Sequence, residues 1–448
     1  MKLKKDIQAF LSGLLKNATL RNIIRVGILT VFVSLLGFFK EILVADRFGL
    51  SELLDTFLIA VLVPMFIFGV FFGSFQSVFI PNYVTEMKTG KNIGSFQSTS
   101  FLLTLGVSIF FLIIAFLFTD VYLETFFKGH TPQYYALIKK QFYYVAPCII
   151  FWGFSGLLKG LLTIDDEFIH SSVSGIFTPL AIIICILFFR DQFGDLVLAM
   201  GTLIGGVMGT SYLLIFALRR NLIHLKKPDF DSVNIRILFK QLPAKLSSSM
   251  LNNINPLIDQ YFAAQLIVGS IAALNYGIKI PTFAITIAGL ALSNVLLPYF
   301  SKQAVENYKA TFDKLKIILR YIMISSGLVV VVLALLSTPL ITIIFERNAF
   351  TAADTIIVSK IQQMYLLQIP FYITGLIMVK FLTSINRNNF MVLTSLISLI
   401  LNIVLNYILI RQMEVYGLAL ATSLVAFVNS LILYFYILKL NKADHPVV

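Results

Sequence analysis

Four ionisable residues of this sequence lie inside long apolar runs, where a charge is most costly. Lys40 and Glu41 are neighbours near the end of the first run, while Asp259 and Lys279 lie in two runs of the second half. A charge at bilayer depth must face water, a partner or the interface, so such residues indicate a functional site. Neighbouring residues of a helix point about 100° apart, and we therefore do not expect Lys40 and Glu41 simply to pair with each other.

Lysines in a water-filled cavity suit an anionic group such as a pyrophosphate, whereas a buried carboxylate suits cation coupling. Asp259 lies roughly 14 Å from the outer end of its run, so it should be protonated, paired with a lysine or bound to a cation. The predicted substrate-binding residues are Lys40, Arg47, Asp55 and Lys279. The predicted coupling-ion candidates are Glu41 and Asp259. The alternatives are a structural ion pair between the two halves and, for Asp55, a carboxylate that complements a helix N-terminus.

Five further polar residues are weaker candidates for the wall of such a cavity. Lys159 and Lys380 lie near the cytoplasmic ends of their runs, where lysines commonly extend to the interface, and this simpler interpretation is favoured. Asn252, Asn253 and Asn255 are favoured as hydrogen-bonding residues between helices over a role as ligands.

The remaining residue types exclude several classes of protein. The four histidines are scattered, both cysteines lie in apolar runs, and neither a Walker loop nor a GxGxxG motif is present. We therefore expect no enzyme, no metal site and no cofactor, with coupling to protons, sodium or the membrane potential left open. The net charge of +13 arises from lysines and arginines grouped in a few loops, so it does not indicate a nucleic-acid partner.

The elements that must position these residues are membrane-spanning helices. Hydrophobic residues make up 58% of the 448 residues and charged residues only 13%, against about 25% in soluble domains. A spanning helix takes roughly 20 residues, which predicts an all-α polytopic protein of about twelve spans. The predicted spans are 22–45, 53–82, 100–119, 137–163, 169–189, 196–218, 244–268, 271–299, 317–345, 352–382, 389–410 and 415–438.

The distribution of basic residues predicts the orientation. Lys and Arg are concentrated before the first span and after the second, sixth and eighth, and the positive-inside rule places these segments in the cytoplasm. Both termini are then cytoplasmic, which requires an even number of spans, and twelve satisfies this requirement. The first residues, 1–21, place apolar side chains on one helical face opposite lysines, which predicts an amphipathic helix at the membrane interface.

The two halves of the chain repeat each other. Pro64 and Pro81 recur as Pro281 and Pro298, both at an offset of 217 residues. The repeat predicts two six-span lobes of equal orientation, related by a pseudo-twofold axis along the membrane normal. The predicted segments are an N-lobe at 22–218, a basic cytoplasmic linker at 219–243, a C-lobe at 244–438 and a cytoplasmic tail at 439–448. The spacing of Gly201, Gly205 and Gly209 predicts close helix packing in the sixth span.

Five stretches of the sequence have a recognisable pattern, namely Ser34–Gly49, Gly73–Pro81, Leu274–Lys279, Phe345–Thr355 and Gly417–Ser423. They resemble the MviN/MurJ-like family of the multidrug/oligosaccharidyl-lipid/polysaccharide exporter superfamily. The resemblance implies a flippase that moves an undecaprenyl-pyrophosphate-linked saccharide, typically lipid II, to the outer leaflet of the bacterial inner membrane by alternating access. Its partners would be that lipid-linked saccharide and the surrounding membrane lipid, and we expect a monomer.

The sequence also differs from the family pattern. Leu35 and the uncharged stretch Met65–Phe72 occupy places where the family carries arginines, and Lys40 and Lys279 replace two others. Asp55 keeps the family's acidic residue, and the family commonly has fourteen spans. Two alternatives therefore stay open, namely a flippase for an exopolysaccharide or O-antigen repeat unit and a cation-coupled small-molecule antiporter.

Overall fold

The computed structural model describes residues 18–89, 92–127, 129–306, 308–387 and 389–442. The predicted interfacial helix lies outside these residues except for 18–21, which already form the start of the first helix. The predicted tail lies outside them except for 439–442, which end the last helix. The described chain is helical nearly throughout, as the apolar composition predicts.

The helices of the first half are α1 Ala18–Phe48, α2 Glu52–Ile67, α3 Gly73–Thr89, α4 Ile93–Leu117, α5 Thr119–Phe126, α6 Pro132–Val145, α7 Cys148–Ile164, α8 Phe168–Val173, α9 Phe177–Phe188, α10 Arg190–Phe193 and α11 Val197–Arg219. A π-helical segment, Phe68–Phe72, lies between α2 and α3.

The helices of the second half begin in the predicted linker. They are α12 Val233–Asn253, α13 Asn255–Ala263, α14 Ser270–Gly277, α15 Lys279–Glu306, α16 Tyr308–Leu335, α17 Ser337–Phe345, α18 Ala352–Leu366, α19 Gln368–Ser384 and α20 Asn389–Lys442.

Within the described ranges, ten helical segments are long and apolar enough to cross a membrane. The last of these, Asn389–Asn441, contains two of the predicted spans, because α20 is interrupted at Glu414, where φ is 51°. A Cβ on Gly417 would lie 2.3 Å from the Leu409 carbonyl oxygen. Residues eight apart in a continuous helix are about 12 Å apart, so the chain reverses here. The ten segments account for eleven of the twelve predicted spans.

The seventh predicted span is the exception. Residues 244–268 form a single apolar run in the sequence, but the structure divides them between α12 and α13, which meet at Ile254. Pro256 lies in the first turn of α13, where its missing N–H leaves no bond unmade. The same proline cannot continue the hydrogen-bond ladder of α12. Helix α12 also begins at Val233 rather than at residue 244.

The structure divides the chain into two compact units. Unit 1 comprises the chain up to Val44, Ile59–Leu123 and Thr131–Ser249; unit 2 comprises Ala45–Leu58, Glu124–His130 and the chain from Met250. The division falls inside α12 rather than in the predicted linker. Unit 2 therefore contains the end of α1 and the start of α2, which the repeat had assigned to the other half.

Close helix packing in unit 1 confirms the expectation from the glycine spacing. A Cβ on Gly201 would lie 2.8 Å from the Ile182 Cα, and one on Gly205 would lie 2.4 Å from the Thr178 Cα. These distances are shorter than any side chain tolerates, so α9 and α11 touch along their backbones. Glycine is required here because only its missing side chain lets the two helices approach.

The linker of unit 1 is fixed to the start of α4. Residues 222–229 form no helix, and their backbone is bound by polar side chains instead. The His224 N–H donates to Gln97 Oε1 at 2.6 Å, and the Asp229 N–H donates to Thr99 Oγ1 at 2.9 Å. This part of the basic linker is thus ordered and bound to α4.

A ladder of polar contacts joins α12 to α3 within unit 1. The bonded pairs are Asn234 Nδ2 to Glu86 Oε2 at 2.5 Å, Asn82 Nδ2 to Gln241 Oε1 at 2.8 Å and Ser74 Oγ to Ser249 Oγ at 2.7 Å. The pairing order shows that the two helices run antiparallel. Ile235 and Leu238 are fully buried beside this ladder, so α12 is held on unit 1 by both kinds of contact.

Unit 2 has an aromatic and aliphatic core between α15, α16, α19 and the end of α20. Phe300 and Phe381 are fully buried, with ring centroids 5.6 Å apart and the rings perpendicular. Edge-to-face rings of this kind stabilise a core beyond their buried area. This core holds the second part of α20 against α19.

Candidate functional site

Lys40 and Glu41 form an ion pair, and the expectation that they would not pair was wrong. Lys40 Nζ donates to Glu41 Oε1 at 2.5 Å, with 21% of the Lys40 side chain and 13% of the Glu41 side chain exposed. The flexible four-carbon stem of lysine spans the angle that separates the two Cβ directions. Each charge therefore has a partner inside α1, which lowers the cost of placing both in an apolar run.

Asp259 is held by two asparagines of α20. Asn406 Nδ2 donates to Asp259 Oδ1 at 2.8 Å, and Asn402 Nδ2 donates to the same oxygen at 3.1 Å. The side chain of Thr422, which lies beyond the reversal of α20, is also close to the carboxylate. Asn406 Oδ1 is buried without a hydrogen-bond partner among the described residues. The site thus gathers one negative charge and several oxygens inside unit 2, and we name it the Asp259 cluster.

Sequence reasoning missed the two asparagines. Asn402 and Asn406 are four residues apart, so they lie on one face of a helix, and Asn406 Nδ2 lies 3.3 Å from Asn402 Oδ1. Two amides at this spacing in an otherwise apolar run indicate a polar contact on one helical face, and the sequence alone shows this spacing. What the sequence could not supply was their partner, which lies 143 and 147 residues earlier in the chain.

Asp55 is buried in unit 2, with 2% of its surface exposed. Its Oδ2 accepts the Gly269 N–H at 2.6 Å and its Oδ1 accepts the Ala272 N–H at 2.7 Å. Both N–H groups lie at the start of α14, where backbone donors have no partner within the helix. Asp55 thus complements a helix N-terminus, as the alternative interpretation expected, although the helix belongs to the other half of the chain. Its role in substrate binding stays a prediction.

The turn that precedes α2 packs backbone to backbone against a later segment of the same unit, unit 2. Gly49 has φ of 50°, and a Cβ there would lie 2.2 Å from the Ala349 carbonyl oxygen. The Ala349 N–H donates to the Asp46 carbonyl oxygen at 3.1 Å, and Asn348 Nδ2 donates to Asp46 Oδ1 at 2.6 Å. Asp46 also pairs with Arg47 Nε at 3.1 Å. Arg47 is therefore part of this exposed polar cluster, and its predicted role with the substrate is untested.

The other lysine candidates occupy different helices. Lys279 is the first residue of α15 in unit 2 and is partly buried. Lys159 in α7 of unit 1 and Lys380 in α19 of unit 2 are also partly buried. Lys40 and Glu41 thus belong to unit 1, and Asp259 and Lys279 to unit 2. Their convergence on one wet chamber remains a prediction.

The three asparagine candidates lie at the break between α12 and α13. The side chain of Asn252 lies outside the described residues. Asn253 ends α12, and Asn255 begins α13 with its Oδ1 buried and unpaired within the described chain. A buried amide oxygen without a donor is costly, so the break offers an acceptor to water or a ligand.

Across the described ranges, no group of three or more His, Cys, Asp or Glu side chains is placed to hold a metal ion. The Asp259 cluster contains one carboxylate, with amide and hydroxyl groups around it. Its predicted role as a coupling-ion site is untested.

Comparison with solved structures defines the class of protein. The fold matches an inward-facing multidrug resistance transporter of the MATE family, in the MOP superfamily, with a TM-score of 0.70 over 94% of this chain and 100% of that one, at 13% identity. It also matches a structure titled "Lipid II flippase MurJ, inward closed conformation", with a TM-score of 0.80 and 26% identity over 92% of this chain and 87% of that one. The chain is a multi-pass membrane protein with the fold of this transporter superfamily.

The particular family follows from sequence. The family model described as "Lipid II flippase MurJ" matches residues 44–446, and this chain belongs to that family. The lipid II flippase MurJ of Thermosipho africanus is 28% identical over 91% of this chain and 84% of its own length. The protein named probable lipid II flippase MurJ in Buchnera aphidicola subsp. Schizaphis graminum is 27% identical over 93% of this chain and 82% of its own length. The resemblance read from the sequence motifs is confirmed.

Proposed function

We propose that this protein is a lipid II flippase, which moves the undecaprenyl-pyrophosphate-linked precursor of peptidoglycan from the inner to the outer leaflet of the bacterial cytoplasmic membrane. The observation that carries this proposal is the family match over nearly the whole chain. The protein acts as a transporter and not as an enzyme, works by alternating access as a monomer, and has both termini in the cytoplasm. The basic loops support this orientation.

The pyrophosphate of the cargo requires a cationic group within the membrane-spanning part of the protein. Lys40 is the strongest candidate for that group. Its ammonium group is paired with Glu41 in this structure. A pyrophosphate carries more negative charge than one carboxylate and accepts several hydrogen bonds, so it competes with Glu41 for the lysine. Partner exchange at Lys40 would hold the head group while the polyprenyl chain stays in lipid, and Lys279 is a second candidate for binding it.

The energy source we propose is a cation gradient acting at the Asp259 cluster. One carboxylate, two amides and a threonine hydroxyl suit a proton or a sodium ion. An amide that now donates its Nδ2 to the carboxylate can rotate to present Oδ1 to a cation. Asp259 is bonded to Asn402 and Asn406 of α20, so cation binding there bears directly on how α13 and α20 pack.

The deciding experiment is reconstitution of the full chain in liposomes with lipid II in one set and a lipid-linked polysaccharide repeat unit in another. We expect lipid II to reach the outer leaflet faster than in protein-free liposomes, as measured by its accessibility to an added modifying enzyme. Transport of the repeat unit but not of lipid II would overturn the proposed cargo. Transport of neither, by protein whose thermal unfolding shows that it is folded, would overturn the flippase assignment.

A further inference from the structure

A groove of about 300 Å³ lies in unit 2 between α16, α19 and the second part of α20. This volume is at the lower limit of ligand-binding pockets, which begin at about 300 Å³. The groove contains none of the candidate residues described above, so it is separate from the proposed cargo and cation sites. Two cations, Lys316 and Arg320, lie among its lining residues.

The two cations lie on one face of α16, because residues four apart are neighbours on a helix surface. Both side chains are exposed. Lys316 Nζ lies 3.7 Å from the exposed Asp313 carboxylate and 4.3 Å from the centroid of the Phe312 ring. An exposed ion pair of this kind contributes little to stability. It therefore positions the ammonium group but leaves it available to bind another anion.

The depth of these cations matches a lipid head group. A span of about 20 residues crosses the hydrocarbon core. Counting back from Leu335, where α16 ends, places the boundary of that core close to Lys316. Arg320 lies one turn deeper, a position from which its long side chain extends back to the interface.

The walls of the groove are apolar. Met323, Phe371 and Leu431 line it. The hydroxyl groups of Thr374 and Ser430, which also line it, bond to each other, with Thr374 Oγ1 and Ser430 Oγ 3.1 Å apart. The Thr374 hydroxyl also donates to the Pro370 carbonyl oxygen at 2.7 Å. The interior therefore presents hydrocarbon to an occupant, while the mouth presents positive charge.

We propose that this groove binds an anionic glycerophospholipid of the membrane, with its phosphate between Lys316 and Arg320 and one acyl chain along Met323 and Leu431. Charge complementarity at the mouth selects the anionic head group, since basic pockets between spanning helices are general sites for such lipids. The bound lipid is a fixed part of the protein surface and is distinct from the cargo.

The test uses the full chain with a fluorescent reporter in the groove. The sequence has a single tryptophan, so Trp152→Phe combined with Tyr434→Trp places the only indole in the groove wall. Phosphatidylglycerol with brominated acyl chains is titrated into the protein in detergent micelles, and phosphatidylcholine with the same chains is titrated in parallel. We expect phosphatidylglycerol to quench the reporter at a concentration at least fivefold lower.

The charge variants then test the head-group site. One basic residue contributes roughly a fivefold change near an anionic surface, so Lys316→Gln with Arg320→Gln should raise the half-quenching concentration about 25-fold. Arg320→Lys should keep most of the affinity. The matched control, Lys302→Gln with Lys309→Gln, removes two exposed basic residues of the same region outside the groove and should change the value less than twofold.

Three outcomes would overturn the proposal. The first is equal quenching by the two lipids, and the second is an unchanged half-quenching concentration in the Lys316 and Arg320 variant. The third is that added lipid II, but not added unbrominated phosphatidylglycerol, protects the reporter from quenching by the brominated lipid. An absence of quenching counts against it as well, provided that the thermal unfolding midpoint of the reporter protein matches that of the unaltered chain.

Discussion

The carboxylate of Asp55 accepts a 2.6 Å hydrogen bond from the backbone N–H of Gly269, a residue 214 positions further along the chain. Because Gly269 directly precedes α14, this bond and the one from Ala272 complete the N-terminus of a helix with a side chain from α2. Such a cap ties the start of α2 to α14 within unit 2. It depends on one short acidic side chain at one position.

Substitution of Asp55 should therefore destabilise the protein. Asp55→Asn removes the charge and one acceptor oxygen, and hydrogen bonds to a charged group contribute about 1.5–3 kcal/mol. We expect a loss of about 2 kcal/mol, seen as a lower midpoint of thermal unfolding in detergent. Glu52→Gln is the matched control, because Glu52 is exposed on the same turn of α2. A midpoint equal to that of the control would show that the cap contributes nothing.

Gly269 should not tolerate a side chain. Its φ is 96°, and a Cβ would lie 2.7 Å from the Leu50 carbonyl oxygen. Gly129 has nearly the same φ, 94°, but open space around it. Both alanine variants carry the same left-handed strain of about 1 kcal/mol, so the difference between their unfolding midpoints isolates the close approach. We expect Gly269→Ala to be clearly the less stable; equal midpoints would contradict this.

Lys40 and Lys279 should each be required for transport. We expect Lys40→Ala and Lys279→Ala to abolish complementation of a flippase-deficient strain, although both proteins accumulate in the membrane, because each removes a cation that the pyrophosphate needs. Lys88→Ala, which changes an exposed lysine at the end of α3, is the control and should complement fully. Full activity of both Lys40→Ala and Lys279→Ala would remove the pyrophosphate-binding hypothesis.

Asp259 should be required for coupling. Asp259→Asn keeps the size of the side chain but removes the charge that would bind a cation, so transport by liposomes containing this variant should no longer respond to an imposed sodium or proton gradient. Asn406→Ala should weaken the response, since it removes a hydrogen-bonding partner of the carboxylate. Asp191→Asn, at an exposed site, should respond as the unaltered protein does. A gradient response that survives Asp259→Asn would exclude this cluster as the coupling site.

The sequence by itself determined that this chain spans a membrane many times, where most spans lie, and that its two halves repeat. These features are local, since an apolar run of about 20 residues must satisfy its backbone as a helix in lipid. The same local logic singled out Lys40 and Asp259, because a charge in an apolar run is visible without any structure.

Tertiary structure decided the partners. Pairing between Lys40 and Glu41 depends on side-chain flexibility, and the bonds from Asn402 and Asn406 to Asp259 depend on how α13 packs against α20. Tertiary structure also divided the seventh apolar run between α12 and α13 and placed Asp55 at the start of α14. Each of these contacts either joins residues far apart in sequence or depends on a rotamer choice. A linear pattern of hydrophobicity contains neither kind of information.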